Sequence, residues 1–245
     1  MNSISANLNI MIKAAEKASK ILIRDFGEVE KLQVSLKGPS DFVTNADKKV
    51  EKIIIEELSK SRKKYSIISE EAGEIVKSDT ENVWIIDPID GTTNFLHGVP
   101  HFAISIALKS KKEIVAGLIF DPIKNEMFYA EKNGGAYFNN QRIRVSKKKN
   151  LEECLFATGG KEFKINLNTR KLGSAALDMA YVAAGRFDGY FQGNLNIWDI
   201  AAGIILVEES GGKINEINYD TVSKLKIIAS SNSIYEKMSE KLDNF

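Results

Sequence analysis

Asp87-Pro88-Ile89-Asp90-Gly91-Thr92-Thr93-Asn94-Phe95 follows directly on the apolar run Val83-Trp84-Ile85-Ile86. The run has the length and β-rich composition of a buried strand. Two carboxylates at the end of such a strand, with a break at Gly91, are expected where the backbone turns at the sheet's edge. Acids beside a core strand are costly unless something neutralises them, so a pair of them points to a bound cation. The stretch predicts a metal site built on a β-sheet.

Outward from this strand, the pattern alternates helix and sheet. Before it, Leu8, Met11, Ile12, Ala15, Ala18 and Ile21 recur at helical spacing, predicting a helix over residues 3–26 that Gly27 stops. A short strand is expected at 32–34 and a loop at Gly38-Pro39-Ser40-Asp41. A second helix is expected to be capped by Thr44 or Asn45 and to run to about Lys60, with a strand at 65–68 delivering Glu70 and Glu71. After it, the runs 102–108, 114–120 and 126–130 predict an antiparallel meander, continued by 136–138 and 142–145. From Cys154 onward a helix at 175–184, a strand at 187–191, a helix at 198–209 closed by Gly211-Gly212, a strand at 225–229 and a helix at 231–242 complete the chain. The reading is a layered fold that is one compact catalytic unit. Its α+β half (1–146) carries most of the acids, and its α/β half (147–245) carries Asp199 and the pocket.

Composition narrows the function. The 245 residues are 43% hydrophobic and 27% charged, ordinary for a globular protein. A net charge of +1 gives no electrostatic case for direct binding of nucleic acid or an anionic membrane. The single cysteine, Cys154, excludes an internal disulfide and a cysteine-based zinc cluster, and reads as a packed thiol. No stretch approaches the roughly 18 apolar residues of a membrane span. The N-terminus lacks a secretory pattern, so a cytoplasmic protein is expected.

Asp47, Glu70, Asp87, Asp90 and Asp199 are scattered acids at predicted strand ends and helix starts. Taken singly, Asp47 and Asp199 read equally well as helix-terminus acids, and Glu70 as part of an exposed turn. Taken together, carboxylates without histidine or cysteine suit Mg²⁺ or Mn²⁺ better than zinc. His97 and His101 lie near the motif and read as packing residues. Thr92 and the N–H groups of the Gly91 turn are suited to receive a phosphate. Acids that hold metals beside donors that hold phosphate describe the hydrolysis of a phosphomonoester.

Three separated blocks now carry a resemblance: Ser69-Glu70-Glu71, Trp84 through Phe95, and Trp198-Asp199-Ile200-Ala201-Ala202-Gly203. With Asp41-Phe42-Val43-Thr44-Asn45-Ala46-Asp47 and Gly173-Ser174-Ala175-Ala176, the chain resembles the inositol monophosphatase family of Mg²⁺-dependent, lithium-sensitive sugar phosphatases. The resemblance implies alternating helix and sheet layers (αβαβα), two to three Mg²⁺ ions and a homodimer. It implies Glu70, Asp87 and the Ile89 carbonyl as ligands of a first ion, and Asp87, Asp90 and Asp199 as ligands of a second, with Glu70 near a third. Thr92 and Asp47 would orient and deprotonate the attacking water. Gly91 and Thr92 would bind phosphate, and Gly173, Ser174 and Ala175 would line the alcohol. Gln192 stands where relatives commonly carry a glutamate that accepts from substrate hydroxyls, and the segment from Thr158 to Gly173 is short.

The expected reaction is release of phosphate from inositol monophosphate. Relatives with the same metal core act on fructose 1,6-bisphosphate, adenosine 3′,5′-bisphosphate or histidinol phosphate. Some bacterial relatives instead bind the transcription machinery, which is a different class of role.

Overall fold

A computed structural model describes residues 4–32, 39–159 and 167–242. Helices α1 (Ala6–Leu32) and α2 (Pro39–Ser61) come first. An eight-stranded sheet follows, built from β1 (Tyr65–Ser69), β2 (Gly73–Ile75), β3 (Asp79–Asp90), β4 (Ala103–Ser110), β5 (Glu113–Asp121), β6 (Glu126–Glu131), β7 (Gly135–Phe138) and β8 (Gln141–Arg142). Its order is β2-β1-β3-β4-β5-β6-β7-β8; β1 and β3 are parallel and every other pairing is antiparallel. The short helix α3 (Thr92–Leu96) lies between β3 and β4. The second sheet takes β9 (Phe156–Ala157), β10 (Thr169–Arg170), β11 (Gly189–Leu195), β12 (Gly212–Ile214) and β13 (Leu225–Ser231) in the order β10-β9-β11-β13-β12. Helices α4 (Ala175–Ala183), α5 (Ile197–Glu209) and α6 (Tyr235–Lys241) complete the described chain.

Three apolar clusters define the layers. Trp84 and Ile86 of β3, with Ile104, Ile106 and Leu108 of β4, pack against Leu8, Met11, Leu22, Val50 and Ile54 of α1 and α2. The alternate residues Val83, Ile85, Ala103 and Ala107 face the other way, onto α4 and α5, whose far side meets Tyr190, Ile227 and Ala229 of the second sheet. Phe191, one residue from Tyr190, points outward to Ile234 and Met238 at α6. Strand periodicity of two thus gives each sheet two apolar faces. The result is the expected helix–sheet–helix–sheet–helix stack. Burying a side chain such as Ile86 or Leu22 completely contributes about 1.5–3 kcal/mol.

Close packing of α5 has a visible cause. A Cβ on Gly117 of β5 would come within 2.5 Å of Ile205 Cγ2 and 2.8 Å of the Ala202 carbonyl. One on Gly203 would come within 2.6 Å of Met179 Cβ of α4. Gly117 lets α5, and with it Asp199, lie close against the first sheet, and Gly203 lets it lie close against α4.

Several expectations need correction. Gly27 does not stop α1, because its missing Cβ faces open space while the apolar stripe runs on to Phe26 and Val29. Leu32 is therefore helical and not the start of a strand; the other residues assigned to that strand lie outside the described residues. Helix α2 starts at Pro39, well before Thr44, so residues 39–41 are not a loop. Proline suits a first helical position, where its fixed φ helps and its missing N–H costs nothing. By contrast, β3 ends at Asp90 with both acids among its last residues, as expected of a strand that closes on acids before Gly91. The strand expected at 142–145 ends at Arg142, and Val145 N–H donates instead to the Ser210 carbonyl at the end of α5. The last helix starts at Tyr235, since Ser231 still belongs to β13. Gly211 follows the end of α5 with φ +89°, the left-handed stop expected there.

Candidate active site

The register of β3 against β4 slips between Asp87 and Asp90: Asp87 pairs with Ser105, but Asp90 pairs with Ala103. In a regular strand, residues three apart face opposite sides. The extra residue is a bulge that contains Pro88, which has no N–H to give to the ladder. It re-aims Asp90, and ligand oxygens of Asp87, Asp90 and Asp199 come within 4.8 Å of one another.

Each of these three acids has one oxygen held by hydrogen bonds. Asp87 Oδ1 accepts from the Ile89 N–H at 3.0 Å. Asp90 Oδ2 accepts from the Ser174 hydroxyl and from the Ala176 N–H at 2.8 Å, which seats it on the N-terminus of α4. Ser174 is the N-cap of that helix and accepts from Leu177 N–H at 3.2 Å, so one hydroxyl serves both helix and acid. Asp199 Oδ2 accepts from the Asn196 N–H at 2.7 Å at the start of α5. It is a helix-terminus acid and a member of the cluster at once.

Glu70 lies in the turn between β1 and β2, close enough to hydrogen-bond Asp87. Asp47 sits in the third turn of α2, buried, so it is not the first-turn acid of a short helix. Its Oδ1 has no hydrogen-bond partner. Thr92 donates its hydroxyl proton to the Ile89 carbonyl at 2.9 Å. The expected Thr92–Asp47 pair is therefore not hydrogen-bonded in this structure.

Electrostatics sets these groups apart. Burial, then repulsion from Glu70, Glu71 and Glu51, pushes Asp47 up to about 8. Burial followed by Asp90, Glu70 and Asp199 holds Asp87 well above the carboxylate range. Asp90 is pushed up to about 7 by burial and by Asp199, against the bond from Ser174. Burial takes Asp199 to about 6. Glu70 is raised too, by burial and its acidic neighbours. Among the described residues no ion pair joins any of these five to a lysine or arginine. Asp87, Asp90 and Asp199, mutually repelling oxygen donors of which the first two are buried and the third half-buried, converge closely enough to fit a hard divalent cation.

The residues expected to face phosphate and alcohol lie at a seam where the end of β3 and α3 meet the segment before α4. Gly91 has φ +96°, and a Cβ there would meet the His101 and Gly173 carbonyls at 3.1 and 3.2 Å. Gly173 has φ +85°, and a Cβ there would meet Asn94 Nδ2 at 3.0 Å. Asn94 Nδ2 donates to the His101 and Leu172 carbonyls, each at 2.7 Å, and stitches the seam. Ala175 opens α4 beside it. Gln192 Oε1 accepts from the Tyr190 hydroxyl at 2.6 Å, so its acceptor is already engaged. His101 is driven by burial down to about 4 and stays neutral, consistent with packing against Tyr181.

Some residues escaped the sequence reading. Asn94 lies inside the motif but carries no chemistry, so only its two carbonyl partners reveal it. Asp178 of α4, buried beneath Asp90, is pushed up to about 8 by burial and by Asp90. Arg186 is committed to structure: it forks Glu126 with two 2.8 Å bonds and lies over Phe128, Phe138 and Tyr181. Lys148 pairs with buried Asp188 at 2.9 Å.

This arrangement, oxygen donors for divalent cations facing a glycine-lined seam, defines a metal-dependent phosphatase fold. The profile of the inositol monophosphatase family matches residues 5–244, and the chain belongs to that family. It is 50% identical over 225 residues to an inositol-1-monophosphatase of Rhizobium meliloti, covering 85% of this chain and 84% of that one. It is 42% identical to the Nus factor SuhB of Escherichia coli, over 85% of this chain and 84% of the other. The crystal structure of the extragenic suppressor protein suhB from Bartonella henselae superposes with a TM-score of 0.88 at 46% identity, covering 98% and 100% of the two chains.

Proposed function

We propose that the protein hydrolyses inositol monophosphate to inositol and phosphate, with two to three Mg²⁺ ions, replaceable by Mn²⁺, in the acidic cluster. The observation that carries this reading is the convergence of Asp87, Asp90 and Asp199, from both parts of a chain of this family. Glu70, Asp87, Asp90, Asp199 and the Ile89 carbonyl are the cation ligands. Bound divalent ions supply a lowered water pKa and neutralise charge on the phosphoryl group and leaving oxygen. Asp47, with its free oxygen and high proton affinity, accepts the water's proton, and Thr92 orients that water once its bond to the Ile89 carbonyl is exchanged. Gly91 and Thr92 receive the phosphate; Gly173, Ser174, Ala175 and Gln192 face the alcohol.

The test is a phosphate-release panel over inositol 1-phosphate, fructose 1,6-bisphosphate, adenosine 3′,5′-bisphosphate and histidinol phosphate, with and without chelator. Chelator-sensitive release from inositol 1-phosphate, inhibited by lithium, is expected; no release from any member would overturn the reading. A cytoplasmic homodimer is the accompanying expectation, checked by light scattering. Kinship with the E. coli Nus factor SuhB motivates a second role as a partner of the transcription machinery. Retention of such a partner by an inactive Asp87→Asn protein would separate that role from catalysis.

A further inference from the structure

Helix α2 carries two buried acids one turn apart, Asp47 and Glu51, and the second has no part in the chemistry above. Its Oε1 accepts from the Ser69 hydroxyl, from the Glu71 N–H at 3.1 Å and from the Ala72 N–H at 3.2 Å. All three donors belong to the β1–β2 connection. Ser69 pairs with Gly73, so the turn itself consists of Glu70, Glu71 and Ala72. The remaining turn amide, that of Glu70, donates to the Ile86 carbonyl at 3.3 Å, one residue from Asp87. Every N–H in the turn is thus satisfied, two of them by one side-chain oxygen.

A carboxylate is an awkward group to place here if only an acceptor is needed. Its charge repels Asp47 and Glu70, two neighbours that must themselves be ionised to work. What it supplies is direction: an acceptor oxygen with room for three donors, on a rigid helix, aimed at a turn too short to hold its own shape. We propose that Glu51 is a positioning residue for Glu70, clamping the turn so that the Glu70 carboxylate stays beside Asp87 where a divalent cation binds. One face of α2 then sets both the proton acceptor, Asp47, and, through the clamp, a cation ligand from another element. The inference rests on the metal-dependent reading above.

The experiment titrates Mn²⁺ alone into the whole protein, followed by electron paramagnetic resonance, in wild type, Glu51→Ala, Glu51→Asp, Glu51→Gln and Ser69→Ala, each checked for fold by circular dichroism. Partners of this kind alter metal affinity by about 10–100-fold. Glu51→Ala is expected to weaken Mn²⁺ binding by that range and to raise the Mg²⁺ needed for half-maximal phosphate release. Activity should recover at high Mg²⁺, which a merely destabilised protein would not show. Glu51→Gln keeps the acceptor and should bind within about threefold of wild type; Glu51→Asp keeps the charge but withdraws the oxygen, and should bind as weakly as the alanine variant. Ser69→Ala should fall between. If Glu51→Ala fails to fold, the order of the Gln and Asp variants decides: the reverse order overturns the clamp. Equal binding by folded Glu51→Ala and wild type also overturns it, whereas a wild type that holds no Mn²⁺ would sink the cation reading itself.

Discussion

Asp90 and Asp199 are seated on helix N-termini: the capping Ser174 hydroxyl and the Ala176 N–H hold one oxygen of Asp90, and the Asn196 N–H holds one of Asp199. Glu70 and Asp47 have a different setting: Glu70 rides a three-residue turn, and Asp47 has an oxygen with no partner at all. The first wall is fixed by the same bonds that cap α4 and α5, so it is in place before any ligand arrives. The second is held at one remove and left with unspent bonding capacity. Fixed dipoles suit ligands that must not move, and unsatisfied acceptors suit groups that take up a proton or a newly bound water.

The largest test of this contrast falls on the residue both walls share. Asp87→Asn should reduce phosphate release to the buffer control while circular dichroism stays unchanged. In chelator the same variant should melt higher than wild type, because it removes the acid on which Asp90, Glu70 and Asp199 all press. Thr92→Ala attacks the adaptable wall and should lower kcat about 10²–10⁴-fold with little change in Mn²⁺ binding; a large loss of binding instead would place Thr92 with the fixed wall.

Cation loading should change stability in a pH-dependent way. Saturating Mg²⁺ at about 100 times its Kd adds about 2.7 kcal/mol, or roughly 5–10 °C in Tm for a chain of this size. In chelator, Asp47, Asp90 and Asp199 titrate near 8, 7 and 6 when folded, against 3.8 for an ordinary aspartate. The folded chain then holds protons that the unfolded chain has released. Their contribution is complete below about pH 4 and is lost as pH climbs through 6 to 8. Tm in chelator should therefore fall across that window, and added Mg²⁺ should flatten the slope. A smaller effect is expected from Asn94→Ala, which frees two carbonyls at the seam and should cost about 1–3 kcal/mol by urea melts.

Layering was legible because period-two strands such as Val83–Ile86 and helical stripes such as Leu8–Leu22 declare their faces in the sequence. Boundaries were less so. Gly27 and Pro39 carry opposite local signals from their real settings, because an exposed glycine tolerates a helix and a proline can begin one. The acids proposed as cation ligands were readable through their chemistry and the family resemblance. Their convergence depends on a bulge at Pro88, a feature of strand pairing that no local pattern announces. Supporting groups were hidden for a related reason: Glu51 and Asn94 act through partners far away in the chain. Glu51 did leave one trace, its spacing of four from Asp47 on the same helix face.

Gly91 presses against the His101 and Gly173 carbonyls and Gly173 against the Asn94 side-chain amide, each closely enough to crowd a methyl group, and both use left-handed φ. An alanine at Gly91 would have to push neighbouring backbone away, and one at Gly173 would displace the Asn94 amide that stitches the seam. Variation is therefore easier at positions such as Gln192 than at these two glycines, where almost any side chain would disturb the packing beside the acidic cluster.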